Sequence, residues 1–216
     1  PDGRIAFTLA ADIHIFDPSD NATRKVEISL PSDRVLTRSR YPDAAQTLTW
    51  FDLSPEGDRL AVVTRGEIFS VPVKGGVTLP VTHASGARES FASFDAEGKR
   101  LVFVTDATGE EEIRILDAWG RGEPEVVKPA AERGWYFPPR LSPDEKWVAY
   151  ADETQTLFVI PAGGGAPRQV DRSAQAEIRD YTWSPDGRWL AYSKMLPTDY
   201  SSIYVYDARE DAVHEI

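Results

Sequence analysis

The sequence predicts an all-β fold built from repeated four-stranded units, and three observations predict it. The phrase Ser184-Pro185-Asp186-Gly187-Arg188-Trp189-Leu190-Ala191-Tyr192 returns in related form at residues 54–62, 95–103 and 142–150, and residues 1–7 carry a copy one residue shorter. The complete copies begin 41, 47 and 42 residues apart, at positions 54, 95, 142 and 184. Four strands with their turns fill about 40 to 50 residues, the period of a propeller blade. Between turn signals the apolar residues alternate with period two and are rich in β-branched and aromatic types, with almost no helical periodicity. The expected architecture is a β-propeller of about five blade units.

The units follow in order along the chain. The first, residues 4–30, has strands near 5–10, 12–16 and 25–28 around a turn at 17–21, and it lacks its innermost strand. The second, 46–81, has strands near 47–53, 59–64, 67–73 and 77–81, with turns at Arg65-Gly66 and Lys74-Gly75-Gly76. The third, 89–127, turns at Ala107-Thr108-Gly109 and at Gly120-Arg121-Gly122. The fourth, 136–170, uses Gly163-Gly164-Gly165 as its outer turn, and the fifth runs over 178–216. The whole chain reads as one propeller domain.

The repeated phrase has a local explanation. Pro presets φ, Asp bonds back to the backbone, and Gly supplies positive φ, so Ser-Pro-Asp-Gly is a tight turn. The apolar triplet that follows starts the second strand of a blade. Trp50, Trp147, Trp183 and Trp189 sit at or near these positions and are expected to pack in the core. Propellers usually close by pairing strands from both chain ends, which protects open edges. Here residues 213–216 already serve as the outer strand of the fifth unit, so no strand is left to complete the first. The expectation is a piece of a longer polypeptide, whose ring is open, closes unusually, or is completed by residues outside this sequence.

Composition narrows the function. A net charge of −11 opposes a nucleic-acid partner, which asks for a basic stripe, and opposes anionic membrane surfaces. The absence of cysteine excludes disulfides and thiolate metal sites but leaves the compartment open. No apolar run approaches the roughly 20 residues of a membrane-spanning helix, so membrane insertion is not expected. His14, His83 and His214 fall in different units without a second ligand at metal spacing. There is no Gly-x-Ser-x-Gly elbow, and the three glycines at 163–165 are not followed by Lys-Ser/Thr. No catalytic residue, metal or cofactor is expected in this chain.

The loops between blades, together with those joining second and third strands, share one face, and that face is the better place for ligand contacts. It collects Arg34, Arg38 and Arg40 from the segment 31–45, then Arg65, Arg88, Arg133, Arg172 and Arg179, with Glu110, Glu111 and Glu112. Arg65, Arg88, Arg34, Arg38 and Arg40 are candidate contacts for a carboxylate such as a peptide C-terminus. The alternative is solvated loop charge or salt bridges between blades. The segment 106–112 lacks the spaced acids of a calcium loop and reads as an ordinary acidic hairpin.

The repeats resemble those of TolB and of the tricorn protease and prolyl-oligopeptidase groups. A narrower resemblance, covering nearly the whole chain, is to the second propeller of tricorn-like proteases. It rests on Leu53–Gly57 with Thr64–Pro72, on Gly86–Glu89 with Phe103–Glu111, and on Asp180–Lys194 with Ile203–Asp207. The Arg65-Gly66-Glu67-Ile68-Phe69 element with the downstream Asp106-Ala107-Thr108-Gly109-Glu110 is its most specific part. Asp95-Ala96-Glu97 in place of Ser-Pro-Asp, and Glu145 in place of Gly, depart from the pattern. The resemblance implies a larger parent with further blades after Ile216, a PDZ module and a serine-protease core, none of whose catalytic residues lie here. It implies a non-catalytic domain that guides or gates peptides, or binds proteins, with the parent's other domains as partners and a cytoplasmic location. The alternatives are a TolB-like scaffold of the cell envelope, which would be periplasmic, or the propeller of an amidohydrolase fusion.

Overall fold

A computed structural model describes residues 3–9, 12–28, 43–83, 86–128 and 134–216. These residues form one three-stranded and four four-stranded antiparallel sheets, and none of the sheets closes on itself. The chain divides into two compact units, residues 1–42 and 43–216.

The smaller unit holds β1 (Ile5–Leu9), β2 (Asp12–Asp17) and β3 (Ala22–Lys25), in that order across the sheet. The strand expected at 25–28 therefore lies earlier. Asn21 adopts φ 52 and the Asp20 carboxylate accepts the Ala22 N–H (3.0 Å), so the hairpin closes at once and Asp17 pairs with Ala22.

The larger unit contains β4 (Leu48–Leu53), β5 (Arg59–Thr64), β6 (Glu67–Pro72) and β7 (Leu79–Pro80) as one sheet, preceded by a 3-10 turn at Ala44–Thr47. Its next sheet is β8 (Glu89–Phe94), β9 (Arg100–Thr105), β10 (Glu112–Asp117) and β11 (Glu125–Lys128). The third is β12 (Arg140–Leu141), β13 (Trp147–Ala151), β14 (Thr156–Pro161) and β15 (Arg168–Arg172). The last is β16 (Tyr181–Trp183), β17 (Trp189–Met195), β18 (Ser201–Asp207) and β19 (Ala212–Glu215). Strand β7 is shorter than expected: the Val77 carbonyl faces the Arg59 guanidinium (3.5 Å), and past Pro80 the Val81 N–H still reaches the Ile68 carbonyl (2.8 Å) but the Ile68 N–H turns to the Thr82 hydroxyl (3.1 Å). The outer bend of the second of these sheets lies at 117–120 rather than at 120–122. There Gly120 N–H reaches the Asp117 carbonyl, and the Asp117 carboxylate takes Trp119 N–H.

The four sheets of this unit stack through alternate residues of their middle strands. Leu101 and Phe103 pack back against Ala61, Val63 and Ile68, whereas Val102 and Val104 pack forward against Val148 and Tyr150. Ala149 and Ala151 continue forward to Leu190 and Tyr192. Strands buried on both faces need unbroken apolar runs, and 101–104 and 148–151 supply them. Burying a side chain such as Phe103 contributes about 1.5–3 kcal/mol.

The repeated turn works as its sequence suggests, with one addition. The Ser184 hydroxyl donates to Asp186 (2.5 Å) and accepts Trp189 N–H (2.9 Å), and Ser142 does the same for Asp144 and Trp147. In the divergent copy, Asp95 replaces the serine and its own carboxylate accepts Lys99 N–H (2.8 Å). Glu145 occupies the glycine position at φ 60. At Gly187 (φ +68) a Cβ would fall 2.6 Å from an Asp144 oxygen, so a side chain there would have to displace that carboxylate as well as hold a left-handed backbone.

Two inner-strand tryptophans bind neighbouring sheets together. Trp50 Nε1–H donates to the Ala92 carbonyl (3.0 Å), and Trp183 Nε1–H to the Arg140 carbonyl (3.1 Å). Trp147 joins the edge of a core cluster. Trp189 corrects the expectation of core packing. It is half-buried outside the three clusters, stacked under the Arg188 guanidinium (4.4 Å) and beside His214.

Candidate functional site

The face opposite the Ser-Pro-Asp-Gly turns is built from hairpin tips and inter-sheet loops. The β5–β6 turn puts Arg65 at φ 58, and the Gly66 carbonyl accepts Glu89 N–H (2.8 Å). That bond carries Arg88 beside the turn, so two residues distant in sequence become neighbours. Both arginines are exposed, and neither guanidinium has an ion-pair partner among the described residues. Arg34, Arg38, Arg40 and Arg133 lie outside the described residues. Arg172 is exposed, and Arg179 sits over the Phe137 ring (4.7 Å) with Glu177 3.8 Å away.

The acids of this face are partly spent on its own loops. Asp106 accepts Arg88 N–H (2.6 Å), Glu111 accepts Tyr136 N–H (2.8 Å), and Glu153 accepts Trp135 N–H (3.1 Å). Each carboxylate ends a loop whose amide has no ladder partner. Burial raises the Glu111 carboxyl above its ordinary value, while that amide and the nearby Arg88 hold it down. Glu112, grouped with the loop acids from sequence, belongs elsewhere. It opens β10, is buried, and pairs with Arg114.

Below Arg88 lies a cavity of about 190 Å³ lined by Trp50, Arg88, Glu89 and Phe91. Phe91 adopts φ 57 where the β8–β9 register slips between Ser90 and Ser93, and its ring meets Trp50 edge-on at 5.3 Å. A bulky side chain held there costs on the order of 1–3 kcal/mol, and bulges of this kind re-aim side chains.

A second cavity, about 320 Å³, opens between the β4–β7 and β8–β11 sheets. Glu89 and Thr105 line it from one ladder row of β8 and β9, with Glu112 abreast of them on β10. The next row on that face is Phe103 and Arg114. Thr82 completes it from the preceding sheet. Its hydroxyl accepts Ile68 N–H (3.1 Å) and gives its single proton to Glu89 (3.2 Å). Desolvation pushes the Glu89 carboxyl up to about 7; Thr82 opposes this, and Glu67 and Asp106 add to it. Gly120 at the rim has a backbone so close that a Cβ would fall 2.9 Å from the Pro80 and Val81 carbonyls. Sequence reading missed this group, although Glu112-x-Arg114 between apolar neighbours signals a same-face ion pair inside a buried strand.

The family model described as the second beta propeller domain of tricorn protease matches residues 48–216. The chain belongs to this family. The tricorn protease of Thermoplasma volcanium is 27% identical over 205 residues, covering 94% of this chain and 19% of the relative. Tricorn protease homolog 1 of Streptomyces coelicolor is 28% identical, covering 98% and 20%. The chain thus spans about a fifth of the length of these tricorn-family relatives. A crystal structure of tricorn protease superposes with a TM-score of 0.67 at 24% identity, over 98% of this chain and 20% of that one. These likenesses agree with the propeller-type stacking of the sheets.

Proposed function

We propose that this tricorn-family propeller is a non-catalytic module that receives peptide segments on its loop face and directs them toward the rest of a larger protease. The observation that carries this reading is the pairing of Arg65 with Arg88 through the Gly66–Glu89 hydrogen bond, above a pocket walled by Trp50 and Phe91. Two exposed guanidinia without ion-pair partners among the described residues suit a carboxylate, which accepts charge-assisted hydrogen bonds. The aromatic pair beneath suits an apolar terminal side chain.

Fluorescence anisotropy with short labelled peptides tests it. Peptides with a free C-terminal carboxylate are expected to bind at least about tenfold more tightly than amidated ones, and Arg65→Ala with Arg88→Ala to remove that preference. Equal binding of free and amidated peptides by the unaltered protein rejects the carboxylate contact. The purified chain is expected to leave peptides uncleaved, and hydrolysis that tracks with it through purification rejects the non-catalytic reading.

A further inference from the structure

We infer that the cavity between the β4–β7 and β8–β11 sheets is a binding site for a primary ammonium group carried on a compact hydrocarbon body, with Glu89 as its counter-charge. This cavity is distinct from the pocket beneath the loop-face arginines although Glu89 lines both; amine binding with proton release tests the one, and the preference for free over amidated peptide C-termini tests the other.

Glu89 is a buried acid with no cation paired to it among the described residues. Glu89 is 3% exposed, and the hydrogen bond that reaches its carboxylate from another side chain comes from the neutral Thr82 hydroxyl. That hydroxyl accepts Ile68 N–H and gives its single proton to Glu89 Oε2, and Glu89 lines the cavity. The charges that act on Glu89, Glu67 and Asp106, share its sign. Arg114, a guanidinium lining the cavity, pairs with Glu112 through Nη2, while its buried Nε has no hydrogen-bond partner among the described residues. His83 and Glu123 stand at exposed positions on the rim. A carboxylate withdrawn from water without a cation takes up a proton near neutral pH or binds a positive ligand.

The remaining walls choose among cations. Among the described residues no group of three or more His, Cys, Asp or Glu side chains could hold a metal ion, so a hard cation lacks its oxygen cage. Val81, Phe103, Leu116 and Pro124 line the cavity with hydrocarbon. A volume of about 320 Å³ is on the order of ten water volumes and sits at the small end of ligand pockets. An ammonium has three donors: Glu89 and the Thr105 hydroxyl accept from it, while the apolar walls take its carbon body. A free alkylamine, a peptide N-terminus and a lysine side chain share this chemistry.

Isothermal titration calorimetry on the whole 216-residue chain tests the site with hexylamine, leucinamide and Nα-acetyl-lysine amide, and with hexanol as the uncharged control. At least one amine is expected to bind, and which of the three does so identifies the source. Hexanol should bind at least about tenfold more weakly than hexylamine. Binding near neutral pH should release a proton, seen as a dependence of the heat on buffer ionisation enthalpy, because the ammonium displaces the proton that Glu89 otherwise holds. Glu89→Gln, which keeps the shape and removes the charge, should lose amine binding and the proton release together. Failure of all three amines to bind, hexanol binding as well as hexylamine, or unchanged binding in Glu89→Gln overturns the inference. If Glu89→Gln does not fold, amine binding without proton release in the unaltered protein overturns it equally.

Discussion

Glu89 and Asp207 are both withdrawn from water, at 3% and 0% exposure, and they respond to burial in opposite ways. Asp207 ends β18, where the Arg188 guanidinium donates to it from Nε (3.0 Å) and Nη2, and the amides of Arg209 and Glu210 add two more donors. The Arg188 hydrogen bonds outweigh desolvation and hold its carboxyl down to about 2. Glu89 opens β8 with the neutral Thr82 hydroxyl and its own amide as donors, and desolvation dominates. Burial alone does not set the charge state of these acids; the partner does. One acid is a finished structural joint of the repeated turn, and the other is an unfinished site.

Asp207→Asn leaves the Arg188 guanidinium without its main anion, with Glu210 at 3.7 Å, the nearby Asp186 and the Trp189 ring as support among the described residues. It is expected to lower the thermal midpoint by several degrees at neutral pH, the largest effect of these variants. A carboxyl with a depressed folded pKa contributes stability above its ordinary value of 3.8 and loses it as pH falls toward 2. The gap between the two proteins in a melting series should therefore close over that range, and a gap constant with pH would show that the ion pair is not its source.

Glu89→Gln should act with the opposite sign. A carboxyl with a raised folded pKa keeps its full contribution below its ordinary value of 4.5 and loses it as pH rises through about 7. Replacing it with a neutral isostere removes that penalty. Urea unfolding should show a gain on the order of 2 kcal/mol at about pH 8, since a tenfold change in a carboxylate's proton affinity corresponds to about 1.4 kcal/mol. At about pH 4.5 the variant and parent should coincide. Destabilisation at the higher pH would mean that Glu89 has a cation partner after all.

The smallest effect is expected from Thr82→Val. It removes the donor that holds the Glu89 carboxyl down and leaves Ile68 N–H without its acceptor. A loss of about 1 kcal/mol in urea unfolding is expected, together with a Glu89 midpoint above that of the parent by carboxyl-selective NMR titration. A midpoint that falls would show that the hydroxyl does not serve the acid.

The sequence by itself determined the sheets. Period-two alternation, the Ser-Pro-Asp-Gly spacing and the doubly apolar runs at 101–104 and 148–151 encode strands buried on both faces, and such strands can only be stacked. It also determined the turn face, because the repeated serine and aspartate bond within a few residues of one another. The pairing of Arg65 with Arg88, and the joining of Thr82, Glu89, Thr105 and Arg114 around one cavity, were decided by the tertiary structure. These groups come from different strands and loops. Only strand register and the packing of one sheet on the next set whether a charged residue meets water, a partner or neither. Glu112 shows the limit: in sequence it stands with the loop acids Glu110 and Glu111, and one step into β10 turns it from the solvent toward Arg114.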